Sequence, residues 1–383
     1  MRIGIVCYPT YGGSGVLATE LGKALADKGH QVHFITYQQP VRLDQFRSNI
    51  FYHEVQVPTY PLFDYPPYES ALSSTLVDVA LNNELDLLHV HYAIPHASTA
   101  FMAKKILEKR GKHLPVITTL HGTDITLVGK DKTYAPIVSF SINESDKITA
   151  VSKNLRQETL KHFRIEKEID VVYNFIDTKR FKPHDHTTPC GNTLAPNGEK
   201  IVLHVSNFRP VKRPLDVVHI FKKINDALPS KLVLIGDGPE RPKVENLCRE
   251  YGICDDIHFL GKQEKLEALM SCTDLFLLPS QYESFGLAAL EAMASEVPVI
   301  SSRVGGLPEV NIHGKTGFLS PVGDIDDMAK HAIYILSDED RLNKFRHQAY
   351  IHAQNFDIHH IIPQYEKLYK EVLQNQQAEL LPE

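Results

Sequence analysis

Leu275-Phe276-Leu277-Leu278-Pro279-Ser280-Gln281-Tyr282-Glu283-Ser284-Phe285-Gly286-Leu287-Ala288-Ala289-Leu290-Glu291-Ala292 passes from an apolar run through a polar loop to a glycine and a second apolar run. The first run, closed by a proline, reads as a buried strand, and Gly286 and Leu287 stand where a helix should open. The first N–H groups of a helix have no intrahelical partner and lie at the positive end of its macrodipole, so an anion is favoured there. A diphosphate suits that place. Glu291 falls four residues beyond Leu287, about 6 Å along the axis, where a carboxylate can accept both hydroxyls of a ribose. Glu283, still in the loop, is placed to meet a sugar on the far side of the phosphates. Two glutamates at this spacing also occur on plain exposed helices; the strand, loop, glycine and helix around them make the pattern informative.

Working outward, 383 residues are long for one core and comfortable for two. With 43% hydrophobic and 23% charged residues, the composition is that of a globular protein. A formal charge of −6 argues against a nucleic-acid surface, which needs clustered cations. One basic run spans residues 104–113, but Ile106 and Leu107 lie among Lys104, Lys105, Glu108, Lys109 and Arg110, the pattern of a solvated helix face. The chain starts directly on a strand-like segment and shows no leader pattern and no apolar stretch long enough for a bilayer, so a cytoplasmic protein without stable membrane insertion is expected. Self-association into a homo-oligomer is left open. Cys7, Cys190, Cys248, Cys254 and Cys272 are scattered and form no C-x-x-C pair, which suits a reducing compartment and no zinc site. His89 and His91 share a strand face, as metal ligands could, but no third ligand follows at a suitable spacing. They read as packing or substrate contacts, and no metal is expected.

Short apolar runs alternate with helical patterns, the signature of parallel sheets with crossover helices. In the first half, strands are predicted at residues 3–7, 31–36, 87–91, 116–120, 147–151 and 169–172. A helix is expected at 16–28, its apolar stripe Leu17, Leu21, Ala24 and Leu25 ending before Gly29. Residues 182–200, rich in Pro, Gly, Asn and Thr, read as a long exposed loop. A second parallel series follows at 201–205, 232–235, 257–260, 275–279 and 297–301. Ile361, Ile362, Tyr365, Leu368 and Tyr369, at helical spacing, predict a closing helix. The fold class is thus α/β with two Rossmann-like parallel-sheet domains. The expected domains are residues 1–170 plus 358–383, and residues 171–357.

Three further constellations carry chemistry. Gly13, Gly15 and Ala18 match the dinucleotide fingerprint G-x-G-x-x-A, which makes an NAD-dependent dehydrogenase a rival reading. Against it, the loop before the glycines is longer than the tight dinucleotide turn, and the second strand ends Tyr37-Gln38-Gln39 without the acid that grips ribose. Thr118-Thr119-Leu120-His121-Gly122-Thr123-Asp124 lies at the carboxyl end of a predicted strand, where open α/β sheets place ligands, and His121 there either bonds a substrate hydroxyl or is a satisfied core histidine. Ser206-Asn207-Phe208-Arg209-Pro210-Val211-Lys212-Arg213 gathers cations after a strand. Asp324-Ile325-Asp326 fits a metal-binding D-x-D, but its place after Pro321-Val322-Gly323 favours a helix cap.

The stretch E-S-F-G-L-A-A-L-E at 283–291 resembles the Glu-x7-Glu signature of retaining glycosyltransferases of family 4. That resemblance implies the GT-B architecture, with two domains facing a cleft and the C-terminal helix crossing back to the first. It implies donor contacts from Gly13, Ser14, Asn207, Lys262, Ser284, Phe285, Gly286, Leu287 and Glu291. His121 and Glu283 would hold the sugar, and Lys212 with either Arg209 or Asn207 would sit on the phosphates. Within the family, the segments T-L-H-G-T-D-I-T-L-V-G, H-V-H-Y-A-I-P-H and S-N-F-R-P-V-K-R imply transfer of N-acetylglucosamine from UDP-N-acetylglucosamine to the hydroxyl of L-malate, the opening step of bacillithiol assembly. No cofactor is implied, because basic residues and a helix dipole manage the leaving group. For the malate carboxylates the residues expected are Ser14, Tyr92, Thr123 and Lys153. The family's other acceptors, such as a lipid or inositol phosphate, stay open, as does a non-catalytic sugar-binding protein.

Overall fold

The computed structural model describes residues 1–10, 12–43, 46–57, 65–127, 131–183, 193–263 and 265–380. The chain divides into two compact units, Met1–Asn174 with His359–Glu383, and Phe175–Ile358. Each is built on one parallel sheet. Residues 184–192 of the loop expected at 182–200 lie outside the described residues, Cys190 among them.

In the first unit the strands are β1 (Arg2–Val6), β2 (Gln31–Thr36), β3 (Ile50–Glu54), β4 (Leu87–His91), β5 (Val116–Leu120), β6 (Lys147–Ala150) and β7 (Ile169–Val171). They lie in the order β3-β2-β1-β4-β5-β6-β7, every neighbouring pair parallel. β4 and β5 are buried at every residue, as strands covered on both faces must be. Leu72, Leu76, Ala100, Ala103 and Leu107 pack from helices Tyr68–Asn82 and Ser98–Glu108 against Val6, Leu88 and Val90. From His359 onward the last helix, Ile358–Leu380, belongs to this unit. Its Tyr369 hydroxyl lies 2.7 Å from His89 Nδ1, and its Glu366 meets Lys28 at 2.6 Å.

The second unit carries β8 (Lys200–Val205), β9 (Ser230–Ile235), β10 (Ile257–Gly261), β11 (Leu275–Leu278), β12 (Val299–Ser302) and β13 (Gly317–Ser320), in the order β10-β9-β8-β11-β12-β13. Phe208, Val217, Phe221, Leu234, Leu277 and Ile300 belong to its core. The two sheets share one plan. The chain lays two strands outward from the first, then returns to its other side, so strand order reverses between β1 and β4 and again between β8 and β11.

Two strands were not expected from the sequence. β3 is an edge strand with no fully buried residue, and β13 has four residues beginning with glycine, so neither shows the apolar run that marks the others. The first helix also differs from expectation. It runs Gly13–Asp27 rather than from Val16, which puts Gly13 and Ser14 in a helical turn instead of a loop. Close packing of that turn explains the glycine that follows: a Cβ at Gly15 would stand 2.3 Å from the Tyr8 carbonyl oxygen and 2.6 Å from that of Thr10. Asp324 caps the helix Ile325–Leu336 by accepting the Asp327 N–H at 3.0 Å.

Candidate active site

In open α/β sheets ligands bind beyond the carboxyl ends of the strands, at the point where strand order reverses. The reversal in the second unit brings together the loops that follow β8 and β11. Lys212, at the end of the short helix Pro210–Lys212, extends its Nζ to within 2.6 Å of Glu283 Oε1. The same carboxylate oxygen accepts Ser280 Oγ at 2.9 Å. The backbones meet as well, with Gln281 N donating to the Val211 carbonyl at 2.8 Å. Arg213 is engaged elsewhere, its Nε 2.6 Å from Asp216 Oδ2, while Asn207 and Arg209 are exposed. Lys262, just past β10, is also exposed.

The glutamate loop is held from below by a glycine pair that follows β12. Gly306 N donates to the Glu283 carbonyl at 2.9 Å, and Gly305, at φ +55°, passes so close that a Cβ would lie 1.9 Å from that oxygen. Beyond the loop, Phe285 is buried and Gly286, at φ +100°, caps the helix Leu287–Ala294. Ala289, Leu290, Ala292, Met293 and Ala294 are all buried, so this helix is fixed by the core and its opening N–H groups are held in place. Glu291, on the same helix, is only 7% exposed. The turn from Gly236 to Glu240 supports the β8 loop, since Glu240 N donates to the Phe208 carbonyl at 3.0 Å. Below, His204 spans the two strands with Nδ1 donating to the Leu277 carbonyl at 2.9 Å. Burial holds its imidazole down to about 4.

The first unit repeats the arrangement at its own reversal. Ser14, from the helix after β1, lies with its Oγ 2.6 Å from the Tyr92 hydroxyl after β4. Burial raises the Tyr92 phenol, opposed by that hydrogen bond to Ser14. His121, at the end of the adjacent β5, packs its ring 5.1 Å from that of Tyr92 and sets Nε2 2.8 Å from His91 Nδ1. Burial pushes His121 down to about 3, with His96 adding to the effect. Thr123 is exposed at the start of the turn Thr123–Leu127, and Lys153 is exposed at the first position of the helix Lys153–His162, after β6. Ser14, Tyr92, His121, Thr123 and Lys153 therefore stand past the carboxyl ends of β1, β4, β5 and β6.

Several residues of this edge were not singled out from the sequence. Asp124 is buried and accepts the Ala93 N–H at 2.8 Å and the Gly122 N–H at 3.1 Å, tying the β4 and β5 loops together. Burial raises its carboxyl to about 6 against the pull of those hydrogen bonds. His96 donates Nδ1–H to the His91 carbonyl. In the second unit, Ser280 and the Gly305-Gly306 pair were likewise missed. An adjacent glycine pair just beyond an apolar strand was the available signal for the latter. His89 lies within β4, away from the edge, and its two nitrogens meet Tyr369 Oη and Thr119 Oγ1, each at 2.7 Å.

Residues 11–180 match the family described as Glycosyltransferase Family 4, and residues 191–352 match Glycosyl transferases group 1. The chain is 46% identical over 376 residues, 98% of each chain, to N-acetyl-alpha-D-glucosaminyl L-malate synthase of Bacillus anthracis. Among solved structures, it is similar to sucrose-phosphate synthase from Thermosynechococcus elongatus, at TM-score 0.81 and 22% identity, covering 98% of this chain and 100% of that one. It is equally similar to Anabaena HepE in complex with UDP and glucose, at TM-score 0.81 and 21% identity, covering 97% and 99%. These last two likenesses bear on the fold, that of two Rossmann-like parallel-sheet domains. The NAD-dependent dehydrogenase, the rival suggested by Gly13, Gly15 and Ala18, gives way to this kinship. With both halves matched and near-complete alignment to a relative at this identity, the chain belongs to the family 4 glycosyltransferases.

Proposed function

We propose that this enzyme transfers N-acetylglucosamine from UDP-N-acetylglucosamine to the hydroxyl of L-malate, retaining the α configuration, and so begins bacillithiol assembly in the cytoplasm. The observation that carries the reading is the 46% identity, over 98% of both chains, to a protein named for that synthesis. The second unit supports it with an anion-favouring helix start at Gly286 and Leu287, a cation at Lys212, and carboxylates at Glu283 and Glu291.

On this reading the diphosphate lies over the N–H groups that open Leu287–Ala294, beside Ser284 and Phe285, and Glu291 accepts the ribose hydroxyls. Lys212 and Arg209, with Asn207 alongside, offset the charge that gathers on UDP as it departs, and Lys262 lies toward the base. Glu283 and His121 are assigned to the sugar, and Gly13 to the donor. Ser14, Tyr92, Thr123 and Lys153 receive malate. The malate oxygen attacks the anomeric carbon from the face UDP leaves: the bond from that carbon to the phosphate oxygen breaks, the bond to malate forms, and the malate proton passes to a phosphate oxygen of UDP. Neither a cofactor nor a metal enters this scheme.

Release of UDP from UDP-N-acetylglucosamine, measured against L-malate, D-malate, inositol phosphate and no acceptor, tests it. L-malate alone should stimulate release, with or without a chelator, and the product should be the α-glycoside by proton NMR. Stimulation by inositol phosphate and not by malate would overturn the acceptor. Binding of the donor with no release under any condition would point instead to a sugar-binding protein.

A further inference from the structure

We infer that His91 is a positioning residue that fixes His121 as the Nδ1–H tautomer, so that His121 offers an N–H donor at the carboxyl edge of β5. The inference rests on the proposed reading only where it gives that donor the sugar as its partner. Its geometry stands apart from it.

His91 Nδ1 and His121 Nε2 are 2.8 Å apart, and the rings meet edge to edge, with centroids 5.0 Å apart and planes inclined by 26°. Two neutral imidazoles at that distance share one proton, which belongs to one ring or the other. Both are neutral: burial, with His89, His121 and His96 adding to it, holds His91 well below its ordinary range, and burial, with His96 adding, holds His121 down to about 3. The second nitrogen of His91 decides the matter. His91 Nε2 is buried and has no hydrogen-bond partner among the described residues. If the shared proton sat on His121, His91 would carry its own on Nε2, as an N–H buried without an acceptor, a defect costing about 1–3 kcal/mol. Orphaned buried N–H groups are the rarer kind of unsatisfied group. With the proton on His91 Nδ1, only a bare lone pair is left at Nε2.

His96, in the same pocket, shows that preference without ambiguity. Its Nδ1 lies 2.5 Å from the His91 carbonyl oxygen, which can only accept, so His96 carries its proton on Nδ1. Its Nε2, also buried and without a partner among the described residues, is left bare. Applied to His91, the same arrangement makes His91 Nδ1 the donor and His121 Nε2 the acceptor. The one proton of His121 then sits on Nδ1. His89 stacks on the His91 ring at 4.6 Å and is itself bonded at both nitrogens, which hinders the His91 ring from turning.

Side-chain nitrogen NMR of the full-length protein labelled at histidine, with His121 assigned by substitution, reads the tautomer directly. The expected result is a protonated Nδ1 and a bare Nε2 at His121; a proton on Nε2 would overturn the inference whatever the activity assays give. His91→Asn keeps a donor near the Nδ1 position and should preserve the tautomer, with kcat within about threefold of wild type. His91→Leu should yield mixed tautomers at His121 and a kcat lower by roughly tenfold or more, at little change in acceptor KM. Wild-type kcat in a folded His91→Leu protein would also count against it. Should that variant fail to fold, the wild-type spectrum alone decides. Failure of L-malate in the release assay would alter the acceptor and leave the tautomer where it is.

Discussion

Lys212 Nζ and Glu283 Oε1, from loops following two different strands, form an ion pair at 2.6 Å across the point where the second sheet reverses its order. The pair is mostly shielded, with 24% of the lysine side chain and 13% of the glutamate side chain exposed. Each group therefore sets the charge and orientation of the other. Lys212→Ala should lower kcat by about tenfold to a hundredfold, with a smaller change in donor KM, because the lost charge matters most as UDP departs. With Glu283→Gln, the double variant should fall short of the summed losses by roughly 1 kcal/mol or more, as groups in contact do. Additive losses would separate the two residues functionally.

On the proposed reading Glu291 binds the ribose and takes no part in the reaction. Glu291→Ala should raise donor KM by about tenfold while leaving kcat within a few-fold, the signature of binding lost equally from ground and transition states. An unchanged donor KM in steady-state assays would refute the ribose assignment.

Gly305 tests whether the loop beneath Glu283 must be bare. At φ +55°, and with a Cβ placed 1.9 Å from the Glu283 carbonyl oxygen, Gly305→Ala forces backbone to move. The expected cost is about 1–3 kcal/mol, or several degrees in Tm, together with a raised donor KM. Calorimetry showing an unshifted Tm would contradict this packing.

Tyr92 and Ser14 share a hydrogen bond at the reversal of the first sheet. Tyr92→Phe keeps the ring and removes the hydroxyl. Acceptor KM should rise by roughly five- to twentyfold with donor KM unchanged, a loss of the size of one hydrogen bond. A rise in donor KM alone would move Tyr92 to the donor side.

The histidine cluster makes stability depend on pH. Burial holds His89 and His121 down to about 3 and His96 to about 4, whereas unfolded histidine titrates near 6.5. As pH falls below about 6.5, the unfolded chain takes up protons that the folded chain refuses, so each of these groups makes stability fall with falling pH. Asp124, raised to about 6, acts in the opposite sense, since the folded form binds its proton first. Three histidines outweigh one carboxyl. The urea midpoint should be lower at pH 5 than at pH 7.5, and an equal or higher midpoint at pH 5 would contradict the neutral cluster.

Local chemistry made much of this legible in the sequence. The apolar runs of β1, β4, β5 and β11 show because central strands are covered on both faces. Gly286 and the glutamates around it show because a helix start has a composition of its own. β3 and β13 did not show, since an edge strand needs no apolar run and a four-residue strand offers too little pattern. Ser280, Asp124 and His96 were silent for another reason: a hydroxyl, a carboxylate or an imidazole has meaning only through the partner it meets.

The sequence by itself thus determined most of the segments that become strands and, on the proposed reading, which residues at their ends would meet an anion, a ribose or a sugar. Only the tertiary structure decided that β1 lies beside β4 and β8 beside β11. Strand order is a property of packing between segments distant in the chain, and nothing in either segment records its neighbour. That order turns Ser14 and Tyr92, 78 positions apart, and Lys212 and Glu283, 71 apart, into touching pairs. It likewise sets His91 against His121, and so decides which nitrogen of His121 carries the proton.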